Sequence, residues 1–457
     1  MNYKHILAIA ALALMVAGCG IYNKYESTGA APDDVFGAEV RVDNNGSLAQ
    51  LSWREFFTDP VLQDLIETAL ERNTNLNTAR IAVEQSEAAL KASRLAWLPS
   101  LAMAPSGSVG SFNHSAASWT YNLPLQLSWD PGLFGTNTTK KRKSEAVLME
   151  ARMQEAAVQA NLISTVAQEY FLLQILDREL EILMATDSLW EASLETQKAL
   201  WENGKTYSTA VNQLEASYLN VKTQIVDTRR GIQSVENAIC RILAIPPQHI
   251  ARGAWGNYVL PERISVGVPA ELLRYRPDIR LADYAMAEAF YNTQAARQAF
   301  YPNLSLSGIL GWTNTNGVQV LNPGALLLNA SLSLLQPVFA RGQLKANKKI
   351  AQLSEEDMQQ RYVQTVINAG NEVNEALADC QAAREKHAFY HRQVEVLQEA
   401  YDGSHELMDN GKASYLEVLT AQESLLGAQL NEAMNLYKGV LGVVALYIAL
   451  GGSTSGE

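Results

Sequence analysis

The sequence predicts a mainly helical protein with a small β-sheet, built as a tandem duplication of one helix–strand–strand–long helical hairpin unit. Three observations predict it. Two matching stretches recur about 200 residues apart, long tracts repeat apolar residues every three or four positions, and short tracts alternate with a period of two.

The repeat is read directly. "NTNLNTARIAVEQSEAALKASRLAWLPSLAM" (Asn73–Met103) parallels "RPDIRLADYAMAEAFYNTQAARQAFYPNLSL" (Arg276–Leu306), with Leu76/Ile279, Pro99/Pro302 and Leu101/Leu304 each 203 positions apart. The offset is 205 at Phe134/Phe339. It is 207 between "LWENGKTYSTAVNQLEASYL" from Leu200 and "LMDNGKASYLEVLTAQESLL" from Leu407. Small insertions on one frame account for the drift. The chain divides into an export signal at 1–18, a short segment at 19–60, and repeats at 61–260 and 261–457.

The N-terminus carries Lys4, an apolar stretch from Ile6 to Val16 too short to span a bilayer, and then Val16-Ala17-Gly18-Cys19. These last four residues resemble a bacterial lipobox, which implies a covalent lipid on Cys19. Gly20, not an aspartate, implies sorting to the outer membrane. Two or three acyl chains on one residue anchor stably.

Each repeat then supplies a helix and two strands. Trp119, Tyr121, Leu123, Leu125, Leu127 and Trp129 alternate with Thr120, Asn122, Pro124, Gln126 and Ser128. Leu304, Leu306, Leu310 and Trp312 alternate around Gly308, as Leu326, Leu328, Ala330, Leu332 and Leu334 do with Leu327, Asn329, Ser331 and Ser333. Ser100 to Val109 is a weaker strand, interrupted by Pro105 and Gly107. Such alternation suits a half-buried sheet in a soluble protein and also a membrane barrel. Strands of about ten residues and aromatics near their ends (Trp97, Trp119, Trp129, Phe300, Tyr301, Trp312) favour the barrel.

The remaining tracts are helical. Val211, Leu214, Tyr218, Val221, Ile225, Thr228, Ile232, Val235, Ile239 and Ile242 are spaced by threes and fours. The series from Tyr362 to Tyr401 and from Leu426 to Tyr447 do the same, and that from Leu162 to Trp201 fits with gaps. This period makes paired helices supercoil left-handedly. A helix over 138–202 is about 100 Å long. Each Asn-Gly-Lys lies between two long helices, where glycine permits the left-handed dihedrals of a helix end, so Gly204 and Gly411 mark the tips of two hairpins.

Composition narrows the function. Charged residues are only 18% against 47% hydrophobic, which excludes a disordered chain. No run of 18 apolar residues follows residue 20, which argues against a spanning helix. A net charge of -12 argues against nucleic acid or an anionic surface as partner. The basic run Lys140–Lys143 reads as a solvated helix start. Cys240 and Cys380 lie in helical tracts and read as packed thiols, with a disulfide as the alternative.

These features together resemble TolC-type outer-membrane efflux factors, in particular the lipoprotein branch of the tripartite drug exporters. The most specific residues are "GVPAELLRYRPDIR" (Gly267–Arg280), where Pro277 and Asp278 also make a good helix start. "FYPNLSLSG" (Phe300–Gly308) and "LQPVFARGQLKA" (Leu335–Ala346) match as well. The resemblance runs from about Cys19 to the end. It implies a homotrimer with a closed 12-stranded outer-membrane β-barrel continued by a periplasmic 12-helix α-barrel, working with a periplasmic adaptor and an inner-membrane pump. An oligomer also follows from physics, because four strands leave two edges that lipid cannot satisfy.

No nucleophile elbow, phosphate loop, His-Glu-x-x-His or Cys-x-x-Cys occurs, so an enzyme is not expected and neither is a cofactor or metal. His387 and His391 share a helix face without a third ligand at suitable spacing. By resemblance, transport chemistry sits at the tips. The aperture acid falls on Glu417, the position three further on is Thr420, and the first repeat has Ala210 where the second has Glu417. Asn203, Gly204, Lys205, Asn410, Gly411, Lys412 and Tyr415 are the implied adaptor contacts. The expected function is a passive exit duct for small molecules. The competing readings are a periplasm-spanning coiled-coil structural lipoprotein, against which the lipid-facing alternation speaks, and a duct for proteins or metal ions.

Overall fold

The computed structural model describes residues 23–27, 51–111, 113, 116–253, 255, 276–313 and 325–452. The export signal, Cys19 and Gly267–Tyr275 therefore lie outside the described residues. In chain order the elements are α1 (Trp53–Phe56), α2 (Pro60–Arg72), α3 (Thr74–Leu95), β1 (Ser100–Met103), β2 (Ser106–Gly110), β3 (Ser118–Trp129), α4 (Thr136–Glu202), α5 (Ser208–Ile242), α6 (Pro277–Gln298), β4 (Asn303–Thr313), β5 (Ala325–Leu335), α7 (Gln343–Asp409) and α8 (Tyr415–Ala449).

The repeat governs element length. Helices α3 and α6 both have 22 residues, α4 and α7 both 67, and α5 and α8 both 35. The turns into α4 and α7 each hold two successive positive-φ residues, Phe134 and Gly135 in one, Arg341 and Gly342 in the other. The conformational counterpart of Phe134 is thus Arg341, not Phe339. The 207-residue frame already holds where strand gives way to helix.

Two compact units cut across the repeats. One gathers the described residues of Met1–Ala30, Ile81–Met153 and Arg280–Gln364; the other gathers those of Ala31–Arg80, Gln154–Ile279 and Thr365–Glu457.

The first unit holds the whole sheet, antiparallel throughout, in the order β1-β3-β4-β5 with β2 continuing β1 along β3. The expected weak strand is broken at Ala104 and Pro105, between β1 and β2. Pro124 sits in the interior strand β3, where a missing N–H ordinarily weakens the ladder. It pairs with Gly311, and a Cβ at Gly311 would meet the Leu123 carbonyl oxygen at 2.3 Å and Pro124 Cα at 2.7 Å. Only glycine lets β4 approach there.

The second unit is held by seam residues. Leu162, Val166, Tyr170, Leu173, Val235, Ile239, Leu243, Val444 and Tyr447 pack with Leu62, Ile66 and Leu76 of α2 and α3. A second cluster joins Leu183, Trp190, Leu194, Val211, Leu214, Val221 and Ile225 to Leu419 and Leu426, so the two hairpins share a core. The three-and-four spacing thus marks buried positions. Cys240 and Cys380 are buried free thiols, and burial pushes the Cys380 thiol up to about 11.

Two arginines fasten this unit across long sequence distances. Arg252 donates from Nε and Nη2 to both oxygens of Asp177, at 2.7 and 2.9 Å, and pairs with Glu236. Arg276, buried, donates to Asp278 at 3.0 and 2.7 Å, to Glu372 at 2.6 Å and to the Ala449 carbonyl at 2.8 Å. It ties the start of α6 to α7 and closes the C-terminus of α8. Asp278 does more than oppose a helix dipole: it holds this arginine.

Candidate functional site

Two places carry candidate function, and each lies within one unit. The sheet is the first. Its register sets Leu101, Leu127 and Gly308 abreast, then Met103, Leu125, Leu310 and Leu328, so one face is apolar from strand to strand. That face is bare: Leu328 is 74% exposed, Leu332 69% and Met103 66%. An uncovered patch of this kind marks contact with lipid or with another chain.

The opposite face is hydroxyl-rich. The hydroxyls of Ser108 and Thr120 lie 2.5 Å apart, those of Ser307 and Ser331 2.7 Å, and Thr313 Oγ1 donates to Asn122 Oδ1 at 2.5 Å. Among the described residues, β1, β2 and β5 pair on one side only. Every junction with a helix lies at one end of the sheet, where Trp129 Nε1 donates to the Trp97 carbonyl at 2.9 Å and Phe134 stacks on Tyr301. Trp119 and Trp312 lie toward the other end, giving an aromatic rim at both. Strands of 12 and 11 residues at a steep tilt match the apolar thickness of a bilayer.

The hairpin tips are the second place. They are the same turn twice. Gly204 N–H donates to Trp201 O at 2.9 Å and Lys205 N–H to Leu200 O at 2.8 Å; Gly411 N–H donates to Met408 O at 2.9 Å and Lys412 N–H to Leu407 O at 2.8 Å. This pairing is the Schellman closure of a helix, and its left-handed residue is glycine. Asn203 and Asn410 add side-chain donation to the Ala199 and Glu406 carbonyls at 2.7 and 2.8 Å. In Asn-Gly-Lys, asparagine caps a carbonyl, glycine takes the positive φ, and the lysine backbone N–H closes the turn, as any residue but proline could. Both lysines are exposed, and among the described residues neither ammonium has an ion-pair partner.

The two tips differ just past the turn. Glu417 is exposed and accepts from the Ser414 N–H at 3.0 Å, holding the first turn of α8. In the first repeat Tyr207 takes the N-cap place without a side-chain bond, and Ala210 stands where Glu417 does. Thr420 donates back to the Leu416 carbonyl at 2.8 Å and is exposed. Tyr415, an expected contact residue, packs its ring against the shared hairpin core, and burial pushes its hydroxyl up to about 12. Ser217 Oγ donates to Glu423 at 2.6 Å and joins α5 to α8 near the tips, a link no spacing signal reveals.

His391 Nδ1 lies 3.0 Å from Glu432 and its Nε2 3.5 Å from Glu395, while its ring centroid is 6.1 Å from that of His387. Among the described residues, no group of three or more His, Cys, Asp or Glu is arranged to hold a metal ion. None of the described helices is long and apolar enough to cross a membrane.

Comparison with known proteins agrees with this geometry. The profile of a family described as outer membrane efflux protein matches residues 65–244 and again 268–452. The probable outer membrane lipoprotein SilC of Salmonella typhimurium is 27% identical over 413 residues, 89% of each chain. The solvent efflux pump outer membrane protein SrpC of Pseudomonas putida is 28% identical, covering 100% of this chain and 99% of the relative. A crystal structure of CusC superposes with a TM-score of 0.82 at 26% identity, over 95% of this chain and 100% of the other. The chain belongs to the outer membrane efflux protein family.

Proposed function

We propose that this chain is the outer-membrane exit duct of a tripartite efflux system, a homotrimer that accepts small molecules from an inner-membrane pump through a periplasmic adaptor. The observation that carries it is the sheet: apolar and bare on one face, hydroxyl-rich on the other, with its outer strands β1 and β5 each paired to one strand only among the described residues. A closed ring of such sheets puts lipid outside and water inside. The apolar face is the surface for outer-membrane lipid, and Cys19 carries the covalent lipid anchor; no other cofactor is required.

The duct is passive and has no catalytic residue. Energy enters at the pump, and nucleic acid has no part. In the duct, Glu417 and Thr420 of each copy line the aperture, and Asn203, Gly204, Lys205, Asn410, Gly411, Lys412 and Tyr415 meet the adaptor. The two lysine ammonium groups, exposed and without an ion-pair partner among the described residues, support the last assignment. Deleting the gene and restoring it on a plasmid tests the reading against a susceptibility panel. Because SrpC is named for solvents and CusC for cations, the panel includes drugs, detergents, solvents and metal salts. Sensitisation to at least one class, reversed by the plasmid, is expected; unchanged sensitivity to all of them refutes efflux.

A further inference from the structure

The described residues 23–27 are seated on one face of α6. The Tyr25 hydroxyl donates to Asp283 Oδ1 at 2.7 Å, and the Ser27 hydroxyl donates to the same oxygen at 2.8 Å. The Tyr25 N–H donates to the Tyr291 hydroxyl at 3.4 Å. The Tyr25 ring lies 5.7 Å from that of Phe290 and packs with Ala146, Ala287 and Tyr291. Asp283, Ala287 and Phe290 follow at helical spacing, so a single stripe of α6 supplies both the carboxylate and the apolar seat.

Holding five residues of coil costs backbone conformational entropy, and so short a segment has little apolar surface to offset that. Charge-assisted bonds to one carboxylate are the strong kind. Burial, then the neighbouring Asp283, pushes the Tyr25 hydroxyl above its ordinary range, so it remains a donor. Every contact lies within the sheet-bearing unit.

We propose that Asp283 is the mooring post of the N-terminal segment, a positioning residue that fixes where the acylated end of the chain attaches. The inference rests on reading Cys19 as lipidated. Cys19 is six residues before Tyr25, a tether of at most about 21 Å. The mooring therefore keeps the acyl chains within that reach of the α6 face that holds Tyr25.

The test uses full-length, detergent-extracted protein. Tryptic cleavage after Lys24 is timed by mass spectrometry, with palmitate labelling of Cys19 in parallel. Asp283→Ala is expected to speed this cleavage about tenfold, with Asp283→Glu restoring protection and the helical melting curve unchanged. The double variant Tyr25→Phe/Ser27→Ala lies outside every helix and keeps the test open should Asp283→Ala fail to fold. Equal cleavage rates in wild type and variants overturn the mooring. Missing label with wild-type protection intact overturns only the anchoring part.

Discussion

Gly204 and Gly411 end two different helices in one conformation, with φ of +67° and +68°, and beyond the adjoining residues no described heavy atom lies within 4 Å of where a Cβ would stand. Dihedral strain alone, not crowding, therefore demands glycine. Gly411→Ala should cost about 1 kcal/mol and Gly411→Asn less. The cost is local, so the readout is amide exchange at Lys412, about fivefold faster in the alanine variant. Unchanged exchange would mean that another turn geometry is available to the sequence.

Glu417 separates two roles by substitution. Glu417→Gln keeps an acceptor for the Ser414 N–H but removes the charge, whereas Glu417→Ala removes both. Loss of the cap should weaken the first turn of α8 by about 1 kcal/mol in the alanine variant alone. If the carboxylate also constricts a conducting aperture, both variants raise single-channel conductance in planar bilayers and lower cation preference. Conductance unaffected by either leaves Glu417 as a cap and nothing more.

Adjacent residues of β5 test which face meets lipid. Leu332→Lys puts a charge on the bare apolar face and should cost about 2–4 kcal/mol of insertion at mid-depth. Ser331→Lys puts it on the hydroxyl-rich face and should be tolerated. The fraction recovered from outer membranes as heat-modifiable oligomer reports the difference. Equal recovery would remove the membrane from the interpretation of that face.

Burial raises the pKa of Glu179, on α4. The folded chain holds this proton more tightly than the unfolded one, so stability falls as pH climbs from the ordinary carboxylate value through the raised folded value. Glu179→Gln does not titrate. Its melting temperature should exceed wild type at about pH 8, and the gap should shrink toward about pH 4, below the ordinary carboxylate value. A gap of the same size at both would show that ionisation at this position is immaterial.

What was legible in the chain was whatever repeats locally. The seams announce themselves by spacing from Val211 to Ile242, the strands by their alternation, and the interruption of the first strand by Pro105. The tips were legible because one turn chemistry appears twice. The long-range polar fastenings were not. Nothing near Arg252 points to Asp177, which lies 75 positions away in sequence, and nothing near Tyr25 points to Asp283. Ion pairs carry no periodicity, and their partners are fixed only once the helices have packed.

The doubled turn has a consequence for how such a protein diversifies. In a ring of single-hairpin subunits, every mouth position would change at all places simultaneously, since each copy obeys one codon. Here Glu417 and Ala210 occupy matching places and are encoded by separate codons. Substitution can therefore alter one tip of the chain while the other keeps its residue.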